Sequence, residues 1–419
     1  MSPADPNTPL LLPRLAVDRL AHAQAVMPVV VLMGARQTGK STLVRDLVGD
    51  PGRTYVSLDT RAMLERALED PETFVAQAGP AGRLGIDEVQ RAPDLLRAIK
   101  IVVDHDRQRV GGRFVLTGSA NLLLMKQVSE SLAGRASYIG VWPMTRREQL
   151  GLGSAGIWSD LLATPVDRWR DLVLAQSAPF EEWRELAGRG GYPRPAVHMR
   201  SGAARAEWFA GYVDTYLERD LPDLSPVAHV PDFRRLMQSL ALRVGTLVNQ
   251  TQLARETMLP QTTVQRYLNL LETSYQLVRV PAYAISRTKR LIKTPKLYWS
   301  DTGLALHLSG ELTARGEHLE NVVANDLLAW RETHMPRPNI LYWRTTTGRE
   351  VDFVIEAGMR LVPIEVKATT QPSTGDLASL RAFLDEYGAR AIGGLLLHSG
   401  EETFWIANRV LAAPWWRVM

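Results

Sequence analysis

Cysteine is absent from this chain of 419 residues. Its absence excludes disulfide bonds and every zinc or iron–sulfur site that is held by thiolates. Long apolar runs are also absent, since no segment approaches the roughly 18–20 residues that span a bilayer. The first residues lack the basic-then-apolar pattern of a secretion signal. We therefore expect a cytoplasmic protein without membrane contact, divided by its length into about two to four domains.

Lysine is scarce, with seven lysines against forty-two arginines and a net charge of +4. This bias looks like an effect of nucleotide base composition rather than of selection at each site. The few positions that have lysine are therefore informative. Lys40 lies in a glycine-rich loop, Lys289, Lys293 and Lys296 form a short cluster, and Lys367 ends the string Ile-Glu-Val-Lys. A compact ammonium is poorly replaced by the planar guanidinium. The basic balance permits an anionic partner without identifying one.

Residues 34–41 read Gly-Ala-Arg-Gln-Thr-Gly-Lys-Ser and follow the apolar run 28–33. This is the complete phosphate-binding loop, placed after a predicted buried strand and before a predicted helix. Backbone N–H groups surround the phosphates, Lys40 reaches the β and γ oxygens, and the Ser41 hydroxyl helps to hold Mg²⁺. The pattern predicts binding of ATP and Mg²⁺ by Gly34, Ala35, Arg36, Gln37, Thr38, Gly39, Lys40, Ser41 and Thr42.

Residues 83–90 supply a second predicted strand, whose apolar approach ends in Asp87 and Glu88. A P-loop enzyme needs such a strand to bring a carboxylate to Mg²⁺. We expect Asp87 to hold the metal shell and Glu88 to orient and deprotonate the attacking water. A third strand over 113–119 ends in small polar residues, of which Ser119 is the preferred γ-phosphate sensor and Thr117 and Asn121 are the alternatives.

The order of loop, helix, Asp-Glu strand and polar-ended strand resembles AAA-type ATPases. In such folds an arginine after the third strand often reaches the γ-phosphate of a neighbouring subunit, and Arg135 has the matching position. The alternative is a surface arginine after a helix-capping Gly134. An arginine acting in trans implies a homo-oligomer such as a hexameric ring.

The middle of the chain predicts two modules. Residues 146–235 read as a helical lid or connector, with an aromatic core stripe over 207–220. Residues 248–257 and 261–272 read as a helix-turn-helix, and two strands after it enclose a basic wing. The predicted DNA contacts are Gln261, Thr262, Thr263, Gln265 and Arg266 on the second helix, and Arg287, Lys289, Arg290 and Lys293 on the wing. A plain protein-docking module is the alternative, since winged helices also serve that role. The turn departs from the usual pattern, because Met258-Leu-Pro replaces the usual small residue.

Two carboxylates and a lysine mark the C-terminal part. Asp352 and Glu365 fall on adjacent predicted antiparallel strands, and Lys367 shares a strand face with Glu365. Two carboxylates so placed can share a divalent cation. The arrangement resembles the PD-(D/E)XK nuclease core, and Glu320 on the preceding predicted helix matches the additional acidic residue of such cores. The alternative is an inherited scaffold that binds DNA or a partner, with its carboxylates in an ordinary ion pair with Lys367.

Seven segments and one pair of segments together resemble a widespread prokaryotic family that joins an AAA-type ATPase to a C-terminal domain of unassigned function with a nuclease-like fold. They are residues 34–41, 84–90, 116–119, 132–135, 190–193, 216–220 and 296–304, and the pair 351–353 with 364–367. The expected fold is α/β, with an AAA-type ATPase domain (1–145), a helical connector (146–235), a winged helix-turn-helix (236–305) and a restriction-endonuclease-like domain (306–419).

These features favour an ATP-hydrolysing protein that binds and processes or remodels DNA, with Glu320, Asp352, Glu365 and Lys367 as a candidate metal-dependent nuclease site. One alternative is a nucleotide-dependent switch or docking protein with an inactive nuclease fold. Another is a toxin-like effector whose nuclease is restrained by the ATPase.

Overall fold

The computed structural model describes residues 11–47, 52–76, 82–106, 111–118, 132–224, 229–286, 290 and 293–419. Its contacts divide the chain after Ser154 into two compact units. The predicted ATPase module lies in the first unit. The predicted winged helix and nuclease-like domain, and most of the predicted connector, lie in the second. Within the described residues, no helix is both long and apolar enough to cross a bilayer.

The first unit is built on a parallel sheet of five strands in the order β2-β3-β4-β1-β5. The strands are β1 Val29–Met33, β2 Arg53–Ser57, β3 Arg83–Asp87, β4 Phe114–Thr117 and β5 Ala136–Gly140. The helices are α1 Ala16–Val26, α2 Lys40–Thr42 (continued by a π-helical turn, Leu43–Leu47), α3 Arg61–Glu69, α4 Pro71–Ala76, α5 Asp94–His105 and α6 Arg146–Gln149.

Both faces of this sheet are buried, which explains the apolar run in the sequence. Val30 and Leu32 of β1 pack with Leu20 of α1 in one core cluster. Val29 and Val31 point to the opposite face and join the core beneath α5. The central strand therefore contributes to two cores at once, and it ends at the P-loop in a fixed position.

The second unit begins with short helices and continues into three longer ones beside a two-stranded antiparallel hairpin. The helices of its first half are α7 Trp158–Ala163, α8 Trp169–Leu174, α9 Trp183–Arg189, α10 Gly202–Thr215, α11 Leu221–Leu224, α12 Val230–Ala241, α13 Gln250–Thr257 and α14 Gln261–Thr273. The hairpin is β6 Leu277–Val280 and β7 Lys296–Trp299. Val264, Leu268 and Leu271 of α14 are buried, as the spacing predicts.

A mixed sheet of six strands, in the order β12-β13-β11-β10-β9-β8, forms the C-terminal part. Its strands are β8 Asn339–Arg344, β9 Glu350–Ala357, β10 Arg360–Lys367, β11 Gly394–His398, β12 Phe404–Ala407 and β13 Val410–Pro414. The remaining helices are α15 Thr302–Ser309, α16 Gly316–Glu332, α17 Ala378–Tyr387 and α18 Trp415–Val418. β8, β9 and β10 are antiparallel neighbours, whereas β10, β11 and β13 run parallel.

The chain between β6 and β7 is attached to the edge of this sheet. Ala282 forms a parallel bridge with Tyr342 of β8, and the Tyr342 N–H donates to the Pro281 carbonyl at 3.0 Å. The Tyr342 hydroxyl donates to the Thr294 carbonyl. The segment predicted as a wing is therefore held at both ends by β8.

Asp301 joins two of the segments that carry the family resemblance. Its carboxylate is completely buried and accepts hydrogen bonds from the N–H groups of Gly191 (2.6 Å), Tyr192 (3.2 Å) and Leu304 (2.8 Å). Gly190 has a φ of 68°, and a Cβ there would collide with the carboxylate. The Gly-Gly-Tyr-Pro and Ser-Asp-Thr-Gly segments are therefore held together by hydrogen bonds to Asp301.

We expect Asp301→Ala to lower the free energy of unfolding by at least about 3 kcal/mol, because it leaves three buried N–H groups without acceptors. Asp301→Asn keeps one acceptor oxygen and should cost less. Urea denaturation of the two variants and the wild type measures the order. Equal stability of Asp301→Ala and wild type would contradict a structural role.

Burial raises the pKa of Asp301 from 3.8 to about 6, although its three N–H donors act in the opposite direction. Between these values the folded state holds the proton more tightly than the unfolded state. The contribution of Asp301 to the free energy of unfolding therefore falls as the pH rises from about 4 to 6. Asp301→Asn should remove this slope from the pH profile.

Candidate functional site

The P-loop turns tightly between β1 and α2. A Cβ at Gly34 would collide with the Val141 carbonyl at the end of β5, so only glycine fits there. Gln37 and Gly39 have φ values of 61° and 92°, which turn the backbone toward the start of α2. Successive N–H groups in such a turn form a concave anion-binding surface.

Lys40 is held against the loop. Its side chain is buried, and its ammonium donates to the carbonyls of Gly34 at 3.1 Å and Ala35 at 2.7 Å. Both acceptors belong to the loop that is predicted to surround the phosphates. The ammonium therefore already lies where a bound phosphate chain needs a positive charge.

Three oxygen-bearing side chains meet beside Lys40. The Ser41 hydroxyl donates to Asp87 Oδ1 at 2.9 Å, and the Thr117 hydroxyl donates to the same oxygen. Asp87 ends β3 and Thr117 ends β4, so the parallel sheet brings them together at its carboxyl edge. Carboxylate and hydroxyl oxygens are the ligands that Mg²⁺ prefers, and this donor set fits the cation that ATP requires.

Glu88 follows directly in a left-handed backbone conformation, with φ of 56°. Non-glycine residues in this region are strained and concentrate at functional sites. The Gln90 amide donates to the Glu88 carboxylate and fixes its orientation. Glu88 is thus presented beside Asp87 as a separate carboxylate that is not part of the Ser41 and Thr117 contacts.

The predicted γ-phosphate sensor and the predicted trans-acting arginine, Arg135, have different outcomes in the structure. Ser119 and Asn121 fall outside the described residues, so among the three sensor candidates only Thr117 is placed. Arg135 precedes β5 and pairs with Asp104, and Ala136 aligns with Val29 at the start of β1. The P-loop lies at the other end of that strand, about 16 Å away for five residues. Any contact of Arg135 with a nucleotide therefore requires the nucleotide of another copy.

Arg14 supports the loop, and the motif-based interpretation missed it. Its buried guanidinium donates to the Thr38 carbonyl (2.7 Å), to the Trp142 carbonyl (2.8 Å) and to the Glu148 carboxylate (2.9 Å). These partners come from the P-loop and from the segment after β5. A bidentate fork suits this geometry in a way that lysine does not. Only long-range contacts identify this role, since the local sequence carries no signal for it.

Lys296 is the centre of the acidic cluster in the second unit. Its side chain is 2% exposed, and its ammonium lies 2.7 Å from Glu320 Oε1, 2.8 Å from Glu350 Oε1 and 3.2 Å from Asp352 Oδ1. Glu320 comes from α16, whereas Glu350 and Asp352 alternate on one face of β9. One buried cation is therefore shared by three carboxylates from two elements.

Two carboxylates of the cluster also accept hydrogen bonds from neighbouring groups, whereas Glu365 Oε2 is buried without a hydrogen-bond partner among the described residues. Asp352 Oδ2 accepts from the Val366 N–H at 2.9 Å, and Glu320 accepts from the Tyr298 hydroxyl. Glu365 Oε1 lies 2.7 Å from the Lys367 ammonium. For Glu365 the ion pair with Lys367, the alternative interpretation of the sequence, is the arrangement observed.

The electrostatics follow from burial and crowding. Burial and the neighbouring Asp352 raise the pKa of Glu320 to about 7, against the opposing effect of Lys296. Burial and Asp352 likewise raise the pKa of Glu365 to about 8. Burial acts to lower the pKa of Lys296, but Tyr298 and the surrounding carboxylates raise it above its ordinary value. The lysine therefore stays charged, and protons compete with any cation at the two glutamates.

This arrangement does not fit a divalent metal. Among the residues that the structure describes, no group of three or more His, Asp or Glu side chains is arranged to hold a metal ion. The predicted ligands Glu320 and Asp352 instead face an ammonium that lies between them. The sequence-based interpretation assigned Lys296 to a basic cluster. It missed that the Lys296 ammonium lies among the carboxylates of the predicted acidic site.

Part of the predicted DNA-binding face is exposed to solvent. Gln261, Thr262, Gln265 and Arg266 of α14 are exposed, and Thr263 is half-buried. Lys293 is exposed, whereas Arg290 forms a bidentate pair with Glu356 at 2.6 and 2.8 Å. Arg287 and Lys289 lie outside the described residues. The guanidinium of Arg290 is thus used within the second unit and does not extend the exposed face of α14.

For the P-loop we expect Lys40→Ala to abolish nucleotide binding, because it removes the charge that faces the phosphates. Glu88→Gln should keep binding and lower ATP turnover by about 10²–10⁴, the usual contribution of a general base. Nucleotide titration and phosphate release measure the two effects separately. Full turnover by Glu88→Gln would contradict the assigned role.

For the acidic cluster we expect Lys296→Met to lower the free energy of unfolding by about 3–5 kcal/mol, because three buried carboxylates lose their cation. Mn²⁺ should restore about 2.7 kcal/mol at a concentration of 100 times its Kd. Thermal melting with and without Mn²⁺ measures this gain. Lys293→Met, at an exposed lysine three residues away, is the matched control. An equal gain of the nucleotide-free wild type would show that Lys296 does not exclude the metal.

Family models match three parts of the chain. An AAA domain matches residues 27–150, a domain of unknown function (DUF8612) matches 180–315, and another (DUF4143) matches 315–418. Among solved structures, a Walker-type ATPase of Pyrococcus abyssi is similar with a TM-score of 0.42 and 14% identity, over 71% of this chain and 99% of that one. A RuvB variant of Thermotoga maritima gives a TM-score of 0.30 and 18% identity, over 64% of this chain and 90% of that one.

Similar proteins span nearly the whole chain. An uncharacterized protein of Haemophilus influenzae is 24% identical over 384 residues, 87% of this chain and 88% of that protein. Uncharacterized proteins of Mycobacterium tuberculosis and Mycobacterium bovis are each 32% identical over 410 residues, 96% of this chain and 83% of theirs. The chain therefore belongs to the family of these mycobacterial proteins, and its N-terminal part is an AAA-type ATPase domain.

Proposed function

We propose that this protein hydrolyses ATP in order to bind and remodel DNA, and that its C-terminal nuclease-like domain holds DNA or a partner without cutting it. The observation that carries the ATPase part is the meeting of Ser41, Asp87 and Thr117 beside the ammonium of Lys40. This arrangement supports a hard-oxygen cation site and a phosphate-binding charge at one edge of the sheet.

The residues divide the work of hydrolysis. The loop N–H groups and Lys40 bind the phosphates. Ser41 and Asp87 would hold Mg²⁺, which would supply positive charge to the phosphate oxygens. Glu88 accepts a proton from the water that attacks the γ-phosphorus as the bond to the β–γ bridging oxygen breaks. Thr117 or Ser119 contacts the γ-phosphate. Arg135 acts on the nucleotide of a second copy, in an oligomer such as a hexameric ring.

The exposed front of α14 supports DNA binding. Gln265 and Arg266 offer the amide and guanidinium groups that read base edges or bind phosphates in the major groove. Two helices, α13 and α14, precede a hairpin, which is the order of a winged helix-turn-helix. Because Arg290 is paired with Glu356, the phosphate contacts of the wing depend on Lys293, Arg287 and Lys289.

The element order of the C-terminal domain supports a nuclease-like fold. Glu320 on a helix is followed by Asp352 and Glu365 on adjacent antiparallel strands, then by a helix and a parallel strand. Lys296 occupies the position between the carboxylates, and this favours a holding role over cleavage. A toxin-like nuclease, restrained only by the ATPase, would require the same carboxylates to be available to a metal.

One observation favours a second candidate, a nucleotide-dependent docking protein. Met258, in the turn between α13 and α14, is 77% exposed. An exposed apolar side chain at this position suits contact with a protein better than contact with a phosphate backbone.

DNA-stimulated ATP turnover distinguishes the two candidates. We expect linear, single-stranded or branched DNA to stimulate the wild type, and Arg266→Ala to weaken DNA binding by 1–3 kcal/mol, about 5- to 150-fold, while basal turnover is unchanged. Arg381→Ala, at an exposed arginine of α17, removes the same charge elsewhere and should behave as wild type. If no form of DNA binds or stimulates, the docking function takes precedence.

A further inference from the structure

A cavity of about 620 Å³ lies among the helices of the second unit, away from the features that the proposed function uses. It is formed by α9, the start of α10 and α15 with the loop that follows it. Its charged lining consists of four arginines (Arg184, Arg189, Arg200 and Arg205) and two glutamates (Glu185 and Glu311). Guanidinium groups therefore outnumber carboxylates in a concave site.

The four arginines are not equally compensated. Arg184 pairs with Glu182 at 2.9 Å and Arg189 with Glu181 at 2.6 Å, and neither of these glutamates lines the cavity. Arg205 differs, because its Nε and Nη2 groups donate to the carbonyls of Met199 and Arg200, each at 3.1 Å. These acceptors are neutral, and the Nη1 group takes part in neither bond.

The two glutamates of the lining leave this charge largely in place. Glu311 lies 2.7 Å from Arg315, which is outside the cavity. The charge of Glu185 acts to raise the pKa of Arg205, and it is the smallest of the three effects on that pKa. Burial and then the neighbouring Arg189 lower the pKa of Arg205. A partly buried positive charge beside another positive charge is stabilised most by an anion that enters the same space.

Other features of the cavity fit a phosphate-bearing ligand. Gly202, the first residue of the 14-residue helix α10, lines the cavity, and a long helix carries partial positive charge at this end. Phe209 and His307 stack with their ring centroids 6.1 Å apart and offer an apolar wall. The volume lies within the range of small-molecule sites, about 300–1,000 Å³.

We propose that this cavity binds a small phosphorylated molecule, with Arg205 and Arg200 as its main phosphate contacts. Arginine forks bind phosphate oxygens in pairs, so two arginines that line one cavity favour a group with more than one negative charge. The volume, which is that of a small-molecule site, favours such a ligand over a continuous nucleic-acid strand.

Calorimetric titration of the full chain with inorganic pyrophosphate tests the site. Every protein compared, including the reference called wild type, carries Lys40→Ala so that the P-loop does not bind the phosphates. We expect one saturable site in the wild type, and at least tenfold weaker binding in Arg205→Gln and in Arg200→Gln. Arg381→Gln should bind as wild type. Arg200 is exposed, so its variant tests the site without disturbing the fold, and thermal melting confirms that both variants are folded.

Three results would overturn the proposal. The first is no saturable binding of pyrophosphate by the wild type, and the second is equal binding by the wild type and both cavity variants. The third is binding of a short single-stranded DNA that both substitutions weaken and that pyrophosphate does not displace. That last result would assign the cavity to a nucleic-acid backbone.

Discussion

Burial of one ammonium group organises the second unit. Lys296 is almost fully inaccessible to water, and a charge in such a place is tolerated only with close partners of opposite sign. Glu320 must therefore approach from α16, and Glu350 and Asp352 from β9, while the hairpin that carries Lys296 is held against the same sheet. The pair of Arg290 with Glu356 and the bridge of Ala282 with Tyr342 strengthen the same junction. Helices, hairpin and sheet consequently form one compact unit.

The Lys296 ammonium makes the two acidic sites of the chain chemically different. At the P-loop, Asp87 accepts hydroxyl hydrogen bonds from Ser41 and Thr117, which a cation can replace or share. In the C-terminal sheet, Asp352 already faces a fixed positive charge. A divalent cation there would have to displace a lysine or lie beside it, at a high electrostatic cost. We therefore propose metal-dependent chemistry for the AAA-type domain and a holding role for the C-terminal domain.

The features that could be predicted from the sequence are those that depend on residues close together along the chain. The P-loop and the Asp87–Glu88 pair are contiguous strings, and their strand and helix context is local, so their placement was predictable. The alternation around Asp352 and Glu365 was predictable for the same reason. Lys296 was not, because its partners are 24 to 56 residues away in sequence. Arg14 was missed because two of its acceptors are more than 120 residues distant.

The number and position of bound Mn²⁺ ions test the central claim most directly. Anomalous scattering from crystals of the full chain, grown with Mn²⁺ and a non-hydrolysable ATP analogue, locates each ion. The account predicts one ion per chain, beside Ser41 and Asp87 at the P-loop. A second ion between Glu320, Asp352 and Glu365, with Lys296 displaced, would contradict it.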